Sequence, residues 1–381
     1  MQAHQSTPKA RIERHTIFPI PLDQRHGKAR QLFSLWFGAN LNVLTVVTGA
    51  LATTVFGQSF VAGAVAILLG NLIGSVFMAL HAAQGPRLGV PQMVQSRGQF
   101  GARGAAFVIS LVIFMYVGYA ATALVTGGQS LHAIAPAIGL RAGIAAVGAL
   151  SLAAAIYGHD LIHAGTRAIA YVSGSAVALC YLALLLAHRL PLDYLTRGSF
   201  SAVGFLGMLS IGVFWQLGYA PYVSDYSRYL PPDTGPRQAF WACYSGTTLG
   251  AVLPMIFGAL IGPAVAGGDV VAAIAALTGR ASTAIVLLFV PGVAVAGAIC
   301  IYGGTLAVIT LVQTFASGWQ ADWRTRAPIA TAIFLAAAAL GTVGARTRAL
   351  KVVLPALRAA AQRIEQQLPV RPANPRAVRS P

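Results

Sequence analysis

The sequence predicts an all-α integral membrane protein of nine or ten transmembrane helices, and three observations predict it. First, apolar residues come in long blocks. Residues 61–79 hold no charge and only Asn71 and Ser75 as strongly polar side chains, and residues 104–126 hold no charge at all. A run of about 20 such residues is long enough to cross a bilayer as a helix. Second, 56% of the 381 residues are hydrophobic and 9% charged, where a soluble domain carries about 25% charged. Third, mean hydropathy is +0.70, and 41 glycines suit close helix packing in lipid.

The apolar blocks place nine spans, at about 31–55, 58–82, 104–127, 142–158, 164–187, 203–223, 239–262, 284–314 and 327–344. The first is interrupted by Gly38, Asn40, Asn42, Thr48 and Gly49. The second follows a short polar link, and the third carries Tyr116 and Tyr119. The fourth is short, and the fifth begins after His159 and Asp160. The sixth holds Trp215 and Gln216 in mid-span, followed by Gly218 and Pro221. The seventh follows Pro231 and Pro232. The eighth is long and contains Pro291, where it is expected to bend. The ninth follows Arg324 and Arg326. Three regions result: an N-terminal segment 1–30, a bundle 31–344 and a basic tail 345–381, disordered in part or lying on the membrane as an amphipathic helix.

The net charge of +17 invites a nucleic-acid reading, but the basic residues lie between the apolar blocks and at the ends, as topology signals do. The N-terminal segment holds Lys9, Arg11, Arg14, Arg25, Lys28 and Arg30. Loops on the same side add Arg87, Arg97, Arg103, Arg167, Arg228, Arg237, Arg324 and Arg326; the other side holds Arg141, Arg189, Arg197 and Arg280. Positive charge marks the inside, so the expectation is a multi-pass protein of the cell (inner or plasma) membrane with a cytoplasmic N-terminus. Nine spans would leave the basic tail outside, against that rule. The expectation is therefore a missing tenth crossing, in a chain truncated or frame-altered at its C-terminal end. No cleavable signal peptide is read.

Several chemistries are excluded. Cys180, Cys243 and Cys300 sit inside apolar blocks as small buried hydrophobes, with no Cys–His cluster to hold a metal. No Asp or Glu lies mid-span, so no buried carboxylate relay, acid–base pair or triad is expected, and the chain is not read as an enzyme. No phosphate-binding loop is present.

What remains are polar breaks, where backbone freed at membrane depth must line a cavity. Asn40 and Asn42 offer amides to a polar ligand, or else bond a neighbouring helix. Trp215 and Gln216 offer a ring face and an amide, or else pack in the bundle. Tyr116 and Tyr119, three apart, share a helix face. In the eighth span Tyr302, Gly303, Gly304, Thr305 and Thr310 offer loosened backbone and hydroxyls, unless the hydroxyls bond their own helix. Asp225 and Arg228 are read as a helix-end ion pair or cap.

Residues 68–104 resemble the second span and following loop of the nucleobase:cation symporter family, in its purine–cytosine permease branch, through Gly70, Asn71, Gly85, Gly89, Pro91, Ser96, Arg97, Phe100, Gly101 and Gly104. Residues 215–231 resemble the end of that family's sixth span, through Pro221, Ser224, Asp225, Tyr226, Ser227 and Arg228. The resemblance implies a LeuT-type bundle of two inverted five-helix repeats, the second incomplete here, with the first and sixth helices broken. It implies cation-coupled symport of a flat heterocycle such as cytosine, a purine, uracil, allantoin or hydantoin. The ligand would stack on Tyr116 and Trp215, with Asn40, Asn42, Tyr119, Gln216 and Tyr302 as further contacts. Gly38, Ala39, Thr48, Gly303 and Thr305 would bind the cation, Na+ unless H+ is the coupled ion. Where the family often has an amide, one turn beyond the third-helix aromatic, this chain has Ala120; its eighth-helix motif reads Cys300, Ile301, Tyr302, Gly303. The expected partners are the small heterocycle and lipid, with no nucleic acid, and the protein is read as a monomer. The alternative is a truncated remnant that does not transport.

Overall fold

The computed structural model describes residue 13, residues 15–187, residue 195, residues 198–264 and residues 270–346. The expected tail lies outside the described residues from residue 347 on. Among the described residues the structure is helical apart from an isolated β-bridge between Gln58 and Ser199.

Among the described residues, eight helices are long and apolar enough to cross a membrane, and a ninth span is formed by two short helices, α1 (Ala29–Asn40) and α2 (Val43–Thr54), bent by 62°. The other spans, in order, are α3 (Phe60–Ala82), α5 (Gln92–Ile134), α6 (Leu140–Tyr157), α7 (His159–Ala187), α8 (Ala202–Leu217), α10 (Gly235–Ile261), α12 (Ser282–Phe315) and α13 (Trp323–Arg346). Short helices fill three links: α4 (Gly85–Leu88), α9 (Val223–Ser227) and α11 (Val270–Thr278). The stretch after α3, read from sequence as a loop, is thus largely helical. Gly101, at φ 67°, breaks α5 between its first turns and its membrane-spanning part, a conformation that glycine adopts without strain.

α10 and α12 are central. Their apolar windows are 72% buried, against 22–39% for the other long spans. α10 packs on α1, α2 and α3, and α12 on α5, α6, α7 and α13. The remaining helices turn large side chains such as Phe107, Phe114, Leu185 and Leu186 outward, as lipid allows. Close approach is set by paired glycines. A side chain at Gly49 of α2 would collide with the Met255 carbonyl of α10, and one at Gly258 of α10 with the Val46 carbonyl of α2. In lipid, where apolar burial between helices gains little, such contacts drive association.

The N-terminal segment is not a free polar lead-in. Ile17 and Ile20 are buried, and Thr16 Oγ1 donates to the Ala321 carbonyl at 2.8 Å. Glu13 reaches into the bundle beneath α6 and α7.

Candidate functional site

The α1–α2 break is written in Asn40-Leu41-Asn42. Ending one helix and starting another leaves backbone groups without partners, and the two asparagines supply them. Asn42 caps α2, its Oδ1 accepting from Thr45 N at 3.3 Å, while its Nδ2 donates to the Ala39 carbonyl at 2.9 Å. The Asn40 carbonyl accepts from Thr45 Oγ1 at 2.6 Å. The Asn40 side chain then crosses the bundle. Its Nδ2 donates to the Trp36 carbonyl at 2.7 Å, and its Oδ1 accepts from Trp215 Nε1 at 2.7 Å and from the Tyr219 hydroxyl at 3.0 Å.

The second break follows α8. At Gly218 the helix gives way to a short 3-10 turn over Ala220–Tyr222, and α9 resumes beyond Pro221, which has no N–H to continue the ladder. The two breaks face each other across a cavity of about 40 Å3, room for roughly three waters. Ala39, Asn42 and Leu44 line one side, and Trp215, Gly218, Tyr219 and Tyr222 another. Tyr119 and Ala123 of α5 and Ala296, Ile299 and Cys300 of α12 complete the wall. Trp215 and Tyr219 meet edge to face at 6.4 Å between centroids, as do Tyr219 and Tyr222 at 5.8 Å. Four aromatic rings, from Tyr119, Trp215, Tyr219 and Tyr222, and one carboxamide stand among small and aliphatic side chains in the wall.

The structure thus brings Ala39, Asn42, Tyr119 and Trp215 to the cavity, with Asn40 fixing Trp215 from behind. Other residues singled out in the sequence lie elsewhere. Gln216, one position past Trp215, faces another side of the helix. Its Nε2 donates to Asn71 Oδ1 at 2.7 Å and its Oε1 accepts from Thr247 Oγ1 at 2.5 Å, so both ends are committed to α3 and α10. Tyr116 is fully buried one ring away from the cavity, 5.0 Å from Tyr222 and seated against Gly303 and Gly304. Tyr302 points to Glu13, donating at 3.0 Å. Thr305 and Thr48 donate to their own helices, to Ile301 and Leu44, and the Gly38 carbonyl accepts from Leu41 N. The α12 residues that meet the break lie earlier than Tyr302. A side chain at Gly292 would collide with the Leu41 carbonyl and come within 3.1 Å of Ser173 Oγ.

A charged cluster closes the side of the bundle that carries the N-terminus, and sequence reasoning missed it. Glu13 Oε1 accepts from Arg228 Nη2 at 2.8 Å and from the Tyr229 hydroxyl at 2.5 Å. Its Oε2 accepts from Arg326 Nη1 at 2.8 Å. Arg326 also donates to the Ile156 carbonyl. Arg228 and Arg326, taken from sequence as loop charges, are fully buried. Burial alone would raise the Glu13 carboxyl. Arg326 and Arg228 outweigh it and hold the pKa below the ordinary 4.5. One signal was available: Glu13 is one of only nine acidic residues in a strongly basic chain. Asp225 does cap a helix, though not its own. It accepts from Gln92 N at 2.8 Å, at the start of α5.

The profile of a family described as permease for cytosine/purines, uracil, thiamine, allantoin matches residues 19–351. The chain belongs to this family. Among curated relatives, YxlA of Bacillus subtilis (strain 168), provisionally named a purine-cytosine permease, is 41% identical over 66% of this chain and 54% of its own length. The purine-cytosine permease FCY21 of Saccharomyces cerevisiae is 29% identical over 61% of this chain and 45% of its own. The chain therefore spans about half the length of these relatives. Among solved structures, Mhp1, a nucleobase-cation-symport-1 family transporter in a closed conformation with bromovinylhydantoin bound, superposes with a TM-score of 0.71, covering 84% of this chain and 73% of that one at 15% identity. Inward-facing Mhp1 gives 0.67 at 18% identity, covering 92% and 77%. The likeness is one of fold. This is a LeuT-type bundle with its first and sixth spans broken; the described residues supply five spans of one repeat and four of the other. A manganese transporter of Eremococcus coleocola shares the fold at a TM-score of 0.54, with 12% identity over 92% of this chain and 78% of that one, so the fold by itself does not select the solute.

Proposed function

We propose that this permease-family chain is a secondary active transporter that carries a nucleobase or related flat heterocycle, such as cytosine, a purine, uracil, allantoin or hydantoin, together with a cation. The observation that carries the reading is the aromatic cavity between the two broken helices. A nucleobase is planar and edged with donors and acceptors. Trp215 and the neighbouring tyrosines offer ring faces, and Asn42 an amide that both donates and accepts. At about 40 Å3 the cavity is too small for a heterocycle in this conformation, so its walls must part for one to bind. The names of the curated relatives and the bromovinylhydantoin bound in Mhp1 support the same class. Uptake of radiolabelled cytosine, adenine, uracil, allantoin and hydantoin into proteoliposomes tests it. Saturable uptake of at least one is expected; no uptake and no binding of any would overturn the reading and favour the remnant.

The coupling cation is proposed to sit at the α1–α2 break, where the Leu41 carbonyl and the Ser173 hydroxyl both lie beside Gly292. Oxygen donors of this kind suit a hard cation, and Na+ is the ion to test first. Gly292→Ala forces the Leu41 carbonyl to move. The expected result is a loss of Na+ stimulation of uptake while the protein still inserts and binds the heterocycle, if more weakly. Unchanged Na+ dependence would exclude this position.

The host membrane is proposed to be the plasma (inner) membrane with the N-terminus in the cytoplasm, from the distribution of Lys and Arg. A topology reporter fused ahead of Met1 should read as cytoplasmic.

A further inference from the structure

Two imidazoles and a carboxylate converge beside the Glu13 cluster. One nitrogen each of His26 and His159 and one oxygen of Asp160 lie within 4.8 Å of one another. His159 Nδ1 is 3.2 Å, and His26 Nε2 3.9 Å, from Asp160 Oδ1. Around a tetrahedral Zn2+, with bonds of 2.0–2.2 Å, ligand atoms stand about 3.4 Å apart. The two distances to Asp160 lie within about 0.5 Å of that spacing; the remaining pair, held only within 4.8 Å, must close by up to about 1.4 Å.

One further observation points to a ligand. His26 Nδ1 lies 2.9 Å from the Gln24 carbonyl, which accepts only if Nδ1 carries the proton. The lone pair of His26 is then on Nε2, the nitrogen that faces Asp160. A backbone carbonyl fixing the tautomer from behind is the usual support of a metal-bound histidine. His159 is 5% exposed and turns Nδ1, not Nε2, toward Asp160, so Nδ1 is the nitrogen of this ring that would ligate. Its plane is held by stacking on Tyr229, 3.7 Å between centroids and 22° from parallel. His26 is exposed, which gives an ion a route in from solvent.

We infer that His26, His159 and Asp160 form a binding site for a divalent transition metal of the Zn2+ class, with water completing the coordination, that staples the N-terminal segment to the start of α7. Imidazole with carboxylate suits Zn2+, Ni2+ or Cu2+ over Mg2+ or Ca2+. The staple sits where closure is already made. His26 N donates to the Tyr229 carbonyl at 2.7 Å, and His159 N to Glu13 Oε2 at 3.4 Å. A bound ion would therefore hold this face of the bundle shut.

The inference does not rest on the transport reading, and its test does not use transport. Tag-free full-length protein in detergent is titrated with Co2+, whose visible absorption reports tetrahedral coordination, and then with Zn2+ as competitor. One equivalent is expected to bind. His26→Ala, at an exposed position, and Asp160→Asn should each weaken metal binding on the order of tenfold or more. Zn2+ should also slow amide exchange over residues 15–28 in the wild type and not in His26→Ala. No stoichiometric binding by the wild type, or wild-type affinity in either variant, overturns the proposal.

Discussion

Trp215→Ala is expected to weaken heterocycle binding ten- to a hundredfold and to abolish measurable uptake at micromolar substrate. Stacking of a base on an aromatic ring is worth about 1–3 kcal/mol by alanine substitution, and 1.4 kcal/mol is a factor of ten. A second loss adds to it. Trp215 Nε1 donates to Asn40 Oδ1 at 2.7 Å, and without it that acceptor keeps only the Tyr219 hydroxyl. The two contributions separate in Trp215→Phe, which keeps a ring and gives up the hydrogen bond. If the stack dominates, the Phe variant should bind within severalfold of the wild type. If Phe is as poor as Ala, Trp215 acts by holding Asn40 and the broken helix. Calorimetric Kd values for the three proteins against a responding heterocycle distinguish the cases, and an unchanged Kd in Trp215→Ala removes the ring from the site.

Much of the architecture was legible because lipid makes the code simple. The nine spans among the described residues follow from apolar blocks, and the two breaks from Asn40 and Asn42 and from Gly218 and Pro221, residues that a continuous apolar helix has no reason to carry. The register of the site was less legible. Tyr302, Gly303 and Thr305 look like a loosened segment, yet the glycines there make room for Tyr116, and the Thr305 hydroxyl bonds its own helix. The residues of α12 that face the cavity are Ala296, Ile299 and Cys300. They carry no polar group to mark them. Trp215 and Gln216 drew attention as a pair, but neighbours on a helix point about 100° apart, so one faces the cavity and the other α3 and α10. The Glu13 cluster joins residues 13, 228, 229, 302 and 326. No local pattern brings those positions together.

Glu13→Ala is expected to destabilise the closed N-terminal face and to shift the protein toward a conformation open on that side. In the closed state the carboxylate is the shared partner of two fully buried guanidinium groups. Removing one partner of a buried ion pair typically costs about 3–5 kcal/mol, because a charge is left without compensation. Opening would let water reach Arg228 and Arg326, so the penalty falls mainly on the closed state. Reversing a two-state population from 1:99 to 99:1 takes about 5.5 kcal/mol. A loss of this size therefore moves the equilibrium most of the way. Glu13→Gln should act in the same direction and less strongly, since an amide still accepts from one arginine but carries no charge. The pH dependence follows from the lowered pKa of Glu13. A carboxyl whose folded pKa lies below its unfolded value stabilises the closed face fully above the ordinary 4.5, and that contribution fades as pH falls through the lowered folded value. Closure through Glu13 should thus be insensitive to pH around neutrality and lost only in acid. The measurement is thiol labelling of a single cysteine placed at Ala220, buried near the break, in a background lacking the three native cysteines. Faster labelling from the N-terminal side in Glu13→Ala than in the parent is the expected result. Equal rates would show that the face stays shut without its carboxylate.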